Sequence, residues 1–256
     1  MILVNVPGIN GLEKTKGCEG APCKIISELS NSEKNLKIVE FNLDNSDIQK
    51  TRKIIFNESL NLFKKHKDDN EKIIFLGGDH SISFSILKAF NLIYSLGFLF
   101  VLDAHADLMK PLEDPTHEEW LRALLEEGFD SNSILLVGTR KIDDEEKDFL
   151  EYKDLDILAV EKIEEFLENE ENFKKLNNYE SIYISLDIDV LDSNITHATG
   201  YPVENGLSLE QLKKFLKKIT KLKNFKALDI VEINPLKDEE NKTIKLISNI
   251  IKKIEE

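Results

Sequence analysis

The sequence predicts a parallel α/β protein, and three observations lead there. Short apolar runs alternate with longer helical patterns along all 256 residues. The runs are continuous stretches of Ile, Leu, Val and Phe, as expected for strands covered on both faces. No Gly/Ser-rich linker or close internal repeat divides the chain, so residues 1–256 read as one domain.

The elements follow in order. ILVNV, near the start, is the first strand, and LKIVEFNL at 36–43 is the second. The helical run SDIQKTRKIIFNESLNLFKKH leads to a third strand, KIIFLGG at 72–78. The longest greasy stretch, Ala89 to Leu102, is interrupted by Asn91, Ser95 and Gly97. It falls short of the ~20 residues a membrane span needs and reads as a helix end running into a buried strand. That fourth strand is GFLFVLDAH at 97–105. SILLVGTR at 133–140, DILAV at 156–160, YESIYISLDIDV at 179–190 and FKALDIVEINP at 225–235 complete the set. EKIEEFLENEENFKK reads as a solvated helix face, and LEQLKKFLKKITKLK as an amphipathic helix. Two architectures fit this alternation, a closed barrel and an open doubly wound sheet, and both place their sites at the carboxyl ends of the strands.

Composition narrows the function. Forty-eight acidic against 34 basic residues give a net charge of -14. This argues against a nucleic-acid or anionic-membrane surface and suits cationic ligands. Two cysteines, Cys18 and Cys23, are too few for a disulfide framework; they read as packing residues in a reducing, cytoplasmic setting. MILVNVPG lacks the basic region and apolar length of a signal peptide.

The chemistry collects at strand ends. His80 closes the strand in IIFLGGDHS, and the glycines before it allow close backbone approach. They lack the spacing of a phosphate or dinucleotide loop. His105 stands between Asp103 and Asp107 in FVLDAHADL. Asp187 and Asp189 close the strand in YISLDIDVLD, and Glu232 closes another in ALDIVEINP. Residues at i and i+2 on a strand project to one side, so Asp103 and His105, with Asp107 where the chain leaves the strand, can converge on one point, as can Asp187 and Asp189. Ionised carboxylates crowded beside apolar strands repel one another unless cations neutralise them. Two His and four Asp give the mixed N/O ligation suited to Mn²⁺, with Zn²⁺, Fe²⁺, Co²⁺ or Ni²⁺ possible by affinity. Four carboxylates balance two divalent ions, which favours a dinuclear site. No G-x-S-x-G elbow is present. His66 reads as a plain surface residue.

LGGDHS, DAHADL, SLDIDVLD and ALDIVEINP, in this order, resemble the signature blocks of the ureohydrolases, the arginase/agmatinase/formiminoglutamase superfamily. GCEGAPCKI, VGTR and THATGYPVENGLS extend the resemblance over nearly the whole chain. It implies an open, doubly wound sheet of eight parallel strands. It also implies two Mn²⁺ ions, one on His80, Asp103, Asp107 and Asp187, the other on His105, Asp103, Asp187 and Asp189. A metal-bridging hydroxide would attack the amidino carbon of a small guanidino substrate and release urea. Glu232 would hold the guanidinium, and His117 stands at the position of the proton-shuttle histidine. Thr116 as a helix cap, with His117 in the first turn, is the competing structural explanation. His197 reads as a loop residue near the pocket mouth. The family usually forms homo-oligomers, trimers or hexamers.

The spacing from Asp107 to His117 looks more like agmatinases than arginases. Glu113, Asp114, Glu118 and Glu119 make this segment acidic, which suits an amine and repels a carboxylate. Lys110 is the main cation there to offset them. Asp143 falls where arginases contact the α-amino group, and would equally serve a diamine end. The expected activity is therefore agmatine to putrescine plus urea, with arginine second and formiminoglutamate or another guanidino acid third. A non-catalytic binding protein on the same scaffold is the alternative from another class, against which the complete ligand set speaks.

Overall fold

A computed structural model describes residues 1–11, 13–31, 36–69, 71–94 and 97–255. All eight expected strands form: β1 (Ile2–Val6), β2 (Lys37–Glu40), β3 (Ile73–Gly77), β4 (Gly97–Leu102), β5 (Ile134–Val137), β6 (Asp156–Leu158), β7 (Ser181–Asp187) and β8 (Phe225–Val231). They make one sheet in the order β2-β1-β3-β8-β7-β4-β5-β6, with every pairing parallel. β2 and β6 each have one neighbour, so the sheet is open and the barrel alternative falls.

The helices are α1 (Ala21–Ser30), α2 (Ile48–His66), α3 (Ser81–Ile93), α4 (Trp120–Glu126), α5 (Asp144–Lys153), α6 (Ile163–Glu168), α7 (Glu170–Leu176), α8 (Leu209–Ile219) and α9 (Lys242–Glu255). They cover both faces, and the strands' period of two explains how. Leu3, Ile74, Leu76, Phe100 and Ile184 face a core closed by α1, α6, α8 and α9. Their neighbours Val4, Ile73, Phe75, Val101 and Tyr183 face a second core closed by α2, α3 and α4. This is why the strand runs are greasy throughout rather than alternating.

The helices follow their local signals. Ser208 and Gln211 cap α8 reciprocally: the Ser208 hydroxyl accepts from Gln211 N–H (3.2 Å), and Gln211 Oε1 accepts from Ser208 N–H (2.9 Å). Leu212, Phe215, Leu216 and Ile219 recur at helical spacing and are buried. The expected helix ran to Lys223 but stops at Ile219, where the chain turns to bring Phe225 into the core. The acidic run at 161–175 is not one helix. Asn169 interrupts it and caps α7 by accepting from Glu171 N–H (3.0 Å). In the greasy stretch at 89–102, α3 ends at Ile93 and β4 begins at Gly97, while Ser95 and Leu96 lie outside the described residues. No described helix is long and apolar enough to cross a membrane.

The strand order reverses beside the four central strands, β3, β8, β7 and β4. Such a reversal opens a crevice at the strands' carboxyl ends. Gly78, just past β3, packs the N-terminal loop against that crevice. A Cβ on Gly78 would stand 2.1 Å from the Gly8 carbonyl oxygen, a backbone atom that cannot step aside. Gly78→Ala is therefore expected to destabilise the chain by about 2 kcal/mol or more, read as a lower urea midpoint at unchanged slope. An unchanged midpoint would show that this loop docks loosely.

Candidate active site

All predicted ligands lie at the carboxyl ends of those central strands, but turns rather than strand alternation aim several of them. The chain leaves β3 through Gly78 and Asp79, placing His80 immediately before α3. Buried Asp79 fixes that turn. Its Oδ2 accepts from Asn10 N–H (2.6 Å) and the Thr15 hydroxyl (2.8 Å), and its Oδ1 from Ser81 N–H (3.1 Å). His80 Nε2 lies 2.9 Å from Ser185 Oγ, which donates to Asp229 Oδ1 (2.8 Å). The Tyr183 hydroxyl donates to Asp229 Oδ2 (2.8 Å). With its proton committed to Asp229, Ser185 accepts from His80 Nε2–H, leaving the Nδ1 lone pair to face the crevice.

Asp103 follows β4, and its Oδ1 accepts from His105 N–H (2.7 Å). Asp187 ends β7, and its Oδ1 accepts from Asp189 N–H (2.8 Å). Asp189 Oδ1 accepts from Ala104 N–H (3.0 Å), tying the two strand ends together. Each bond holds one carboxylate oxygen back and leaves Oδ2 to face inward. Asp107 lies where the chain has left the strand, as expected, but the i, i+2 projection does not place Asp189. Asp107 arrives through left-handed backbone (φ 53°), and Asp189 sits in the 3₁₀ turn Ile188–Val190. A chain leaving a sheet edge-on must turn, and its freed N–H groups then bind the carboxylates.

The result is two overlapping clusters. His80 Nδ1 lies 3.0 Å from Asp103 Oδ2, 3.0 Å from Asp107 Oδ2 and 3.5 Å from Asp187 Oδ2. His105 Nδ1 lies 2.9 Å from Asp189 Oδ2 and 3.6 Å from Asp103 Oδ1. His80, Asp103 and Asp107 form one group able to hold a metal ion; Asp103, His105 and Asp189 form another, so Asp103 belongs to both. His80 Nδ1 and Asp103 Oδ2 are buried and, among the described residues, have no hydrogen-bond partner. Unsatisfied buried polar atoms aimed at each other are costly unless a cation lies between them. The donor set therefore fits metal.

The electrostatics agree. Burial, with the Asp103 charge added, pushes the Asp107 carboxyl up to about 7. Burial and the Asp189 and Asp103 charges push Asp187 well above the usual carboxylate range. Burial opposes the charged form of His105, yet the Asp103 and Asp189 carboxylates, as hydrogen-bond acceptors and as charges, outweigh it and raise the imidazole to about 12. The cluster is short of positive charge, which protons fill when no ion does.

Glu232 follows β8 at φ 64°. Its N–H donates to the Gly78 carbonyl (2.8 Å), and its Oε1 accepts from His80 N–H (3.0 Å). Burial and the Asp79 charge hold its carboxyl well above the ordinary range. Cys18 Sγ stands 3.9 Å from Glu232 Oε2, a contact the sequence did not reveal. Cys23 is exposed, and both thiols are free.

A cavity of about 220 Å³ joins His80, His105, Asp107, Asp187, Asp189 and Glu232 to His117. His117 is buried in a turn before α4, its two ring nitrogens lack a partner among the described residues, and burial lowers its pKa. Its ring stacks on Tyr201 (5.8 Å, 24°), which in turn donates to Glu118 Oε1 (3.3 Å). Thr116 and Glu119 do bond, with Thr116 N–H and hydroxyl both donating to Glu119 Oε2 (2.6 Å each), and this leaves His117 facing the cavity.

The acidic segment acts differently from the sequence expectation. Asp114 pairs with Arg52, Glu119 is spent on Thr116, and Glu113 is exposed; of the four acids, Glu118 alone lines the cavity. Lys110 is exposed and does not line it, whereas Lys14 and Lys141 do. Lys14 lies over the Tyr201 ring (4.5 Å). Asp143 lines the cavity just before α5, and its N–H donates to Glu146 Oε2 (2.8 Å). His197 is an exposed loop residue, and His66 is on α2, 2.8 Å from Asp69. Arg140 of VGTR is a clamp: its guanidinium donates to the carbonyls of Asp189 (3.0 Å), Val203 (2.9 Å) and Glu204 (2.9 Å).

Comparison with known proteins bears on the family and the fold. The family model described as "Arginase family" matches residues 1–254. The arginase of Staphylococcus aureus strain MRSA252 is 32% identical over 199 residues, 69% of this chain and 65% of that protein. The N(1)-aminopropylagmatine ureohydrolase of Thermus thermophilus is 28% identical over 190 residues, 73% of this chain and 62% of that protein. These matches thus span just under two thirds of each relative's length. The formimidoylglutamase of Bacillus subtilis superposes with a TM-score of 0.87 at 22% identity, covering 99% of this chain and 85% of that one; this likeness concerns the fold.

Proposed function

The chain belongs to the arginase family, and from that premise we propose that it hydrolyses a guanidino C–N bond and releases urea, with agmatine as its preferred substrate. The observation that carries this reading is the shared Asp103, buried beneath two His/Asp clusters whose other members, His80, Asp107, His105 and Asp189, line the cavity with Glu232. His80, Asp103, Asp107 and Asp187 would hold one divalent ion, and His105, Asp103, Asp187 and Asp189 the other, manganese being the expected metal. When bound, such ions bring the pKa of water towards neutrality and so supply the attacking group.

The chain's own residues do the rest. Glu232, its Oε1 steadied by His80 N–H, presents a buried carboxylate to the fork of guanidinium N–H donors. That contact fixes the amidino carbon over the two clusters. The His117 imidazole, free at both nitrogens and facing the cavity, passes a proton to the departing amine, which would otherwise leave as a poor anion. Tyr201 stacks on His117 and limits its swing.

Two features support an amine tail. Glu118 stands at the cavity beside His117, 3.6 Å from Nε2, and among the described residues no Asn or Ser side chain lines the wall to receive a carboxylate. Arginine is the second reading, favoured by Lys14 and Lys141 on the same wall. Urea release with Mn²⁺ from agmatine, arginine and guanidinobutyrate, with formamide assayed for formiminoglutamate, separates these readings. The expected result is a higher kcat/KM for agmatine than for arginine. Glu118→Gln should narrow that preference about fivefold, the worth of roughly 1 kcal/mol between charges near a wet surface. Arginine turned over more efficiently than agmatine overturns the substrate choice and leaves the hydrolytic chemistry standing.

A further inference from the structure

Trp120 is the chain's single tryptophan and is fully buried at the start of α4. Its Nε1–H donates to Asp107 Oδ2 at 2.6 Å. That oxygen is the one 3.0 Å from His80 Nδ1, on the side where the first ion is placed. The indole also lies against the His80 ring, with centroids 4.6 Å apart and planes at 37°. One side chain therefore touches two of the proposed ligands of one metal position. The nearest ring contact recorded for His105 is instead Tyr201, edge-on at 5.9 Å.

We infer that Trp120 is a positioning residue for the metal position at His80, Asp103 and Asp107, and that its indole senses occupancy of that position. The inference rests on the metal reading proposed above. A carboxylate oxygen has two lone pairs. On Asp107 Oδ2 the indole N–H takes one and thereby turns the other towards His80 Nδ1. Asp107 needs such a guide because it sits in left-handed backbone, beyond the reach of β4's hydrogen-bond ladder. The ring blocks the swing of His80 on one side, while the Ser185–Asp229 relay holds the far edge of that imidazole. A purely apolar packing residue would fill the same space without orienting Oδ2.

Two measurements test this. In the wild-type chain, the single ¹⁵N-indole signal is followed while Zn²⁺ and then Mn²⁺ is titrated into the metal-free protein. The expected result is a shift with diamagnetic Zn²⁺ that is complete with the first position to fill or the second, not spread evenly over both, and loss of the signal by broadening with Mn²⁺. In Trp120→Phe, equilibrium dialysis against Mn²⁺ is expected to show one position weakened on the order of tenfold or more and the other within about twofold of wild type. A variant that keeps both affinities, or an indole signal unmoved through full loading, overturns the positioning role while the metal reading stands. Should Trp120→Phe fail to fold, the wild-type titration alone decides. A wild-type chain that takes up no ion overturns the metal reading, and this inference with it.

Discussion

Asp103→Ala is expected to lose at least one of two bound ions and nearly all urea release. Asp103 Oδ2 faces His80 and its Oδ1 lies near His105, so its carboxylate serves both clusters. Deleting it also frees His105 N–H, which Asp103 Oδ1 accepts, and loosens the turn after β4. Elemental analysis of the purified variant, beside wild type, reads the first effect. Thermal melting reads a second. An ion held at a free concentration about a thousand times its Kd adds ~4 kcal/mol to the folded state, and in a chain of this size that moves Tm by roughly 10 °C. Wild type should show this rise on adding Mn²⁺, and Asp103→Ala most of it missing. An active variant with two tightly held ions would end the shared role of Asp103.

Glu232→Gln is expected to keep both ions and lose activity by on the order of a hundredfold or more. The amide retains an oxygen to accept His80 N–H, so the turn stays in place. What it loses is the charge facing the guanidinium, together with one half of the fork. The loss should fall on kcat/KM for every guanidino substrate alike, since the anchor touches the group common to all of them. Activity within a few-fold of wild type would remove Glu232 from that role.

The strands and the strand-end cluster of His and Asp residues were legible because their signals are local. Ile/Leu/Val/Phe runs mark strands wherever both sheet faces are covered, and Asp/His pairs just past such runs mark their ends. The choice between barrel and open sheet was legible only through the signature blocks and not in the strand pattern, since it depends on whether β2 meets β6, more than a hundred residues apart along the chain. The turn geometry of Asp107 and Asp189 was equally hidden. A two-residue spacing is compatible with a strand or a turn, and only the hydrogen bonds of Ala104 and Asp189 N–H distinguish them. Charge counting failed for the acidic segment for a related reason. Arg52 and Thr116 take up Asp114 and Glu119, and neither partnership has a signature in the spacing of acids. Lys14 and Tyr201 reach the cavity from loops far apart in sequence. Trp120, thirteen residues beyond Asp107, is core as well as a donor, and its sequence neighbourhood carries no sign of the second role.

The sheet order also sets a timetable. β8 is the last strand along the chain, yet it lies between β3 and β7. By the time residue 189 leaves the ribosome, all six proposed ligands have been synthesised, from His80 through Asp189. Until β8 slots in, β3 has no partner on that side, and His80 cannot reach the Ser185 that orients it. The nascent chain therefore carries a strongly acidic, half-built sheet with a central gap. Non-local pairings of this kind form late and slowly. On the proposed metal reading, ion capture would be a closing event of synthesis, and the strand that completes the sheet brings the proposed guanidinium anchor, Glu232, with it.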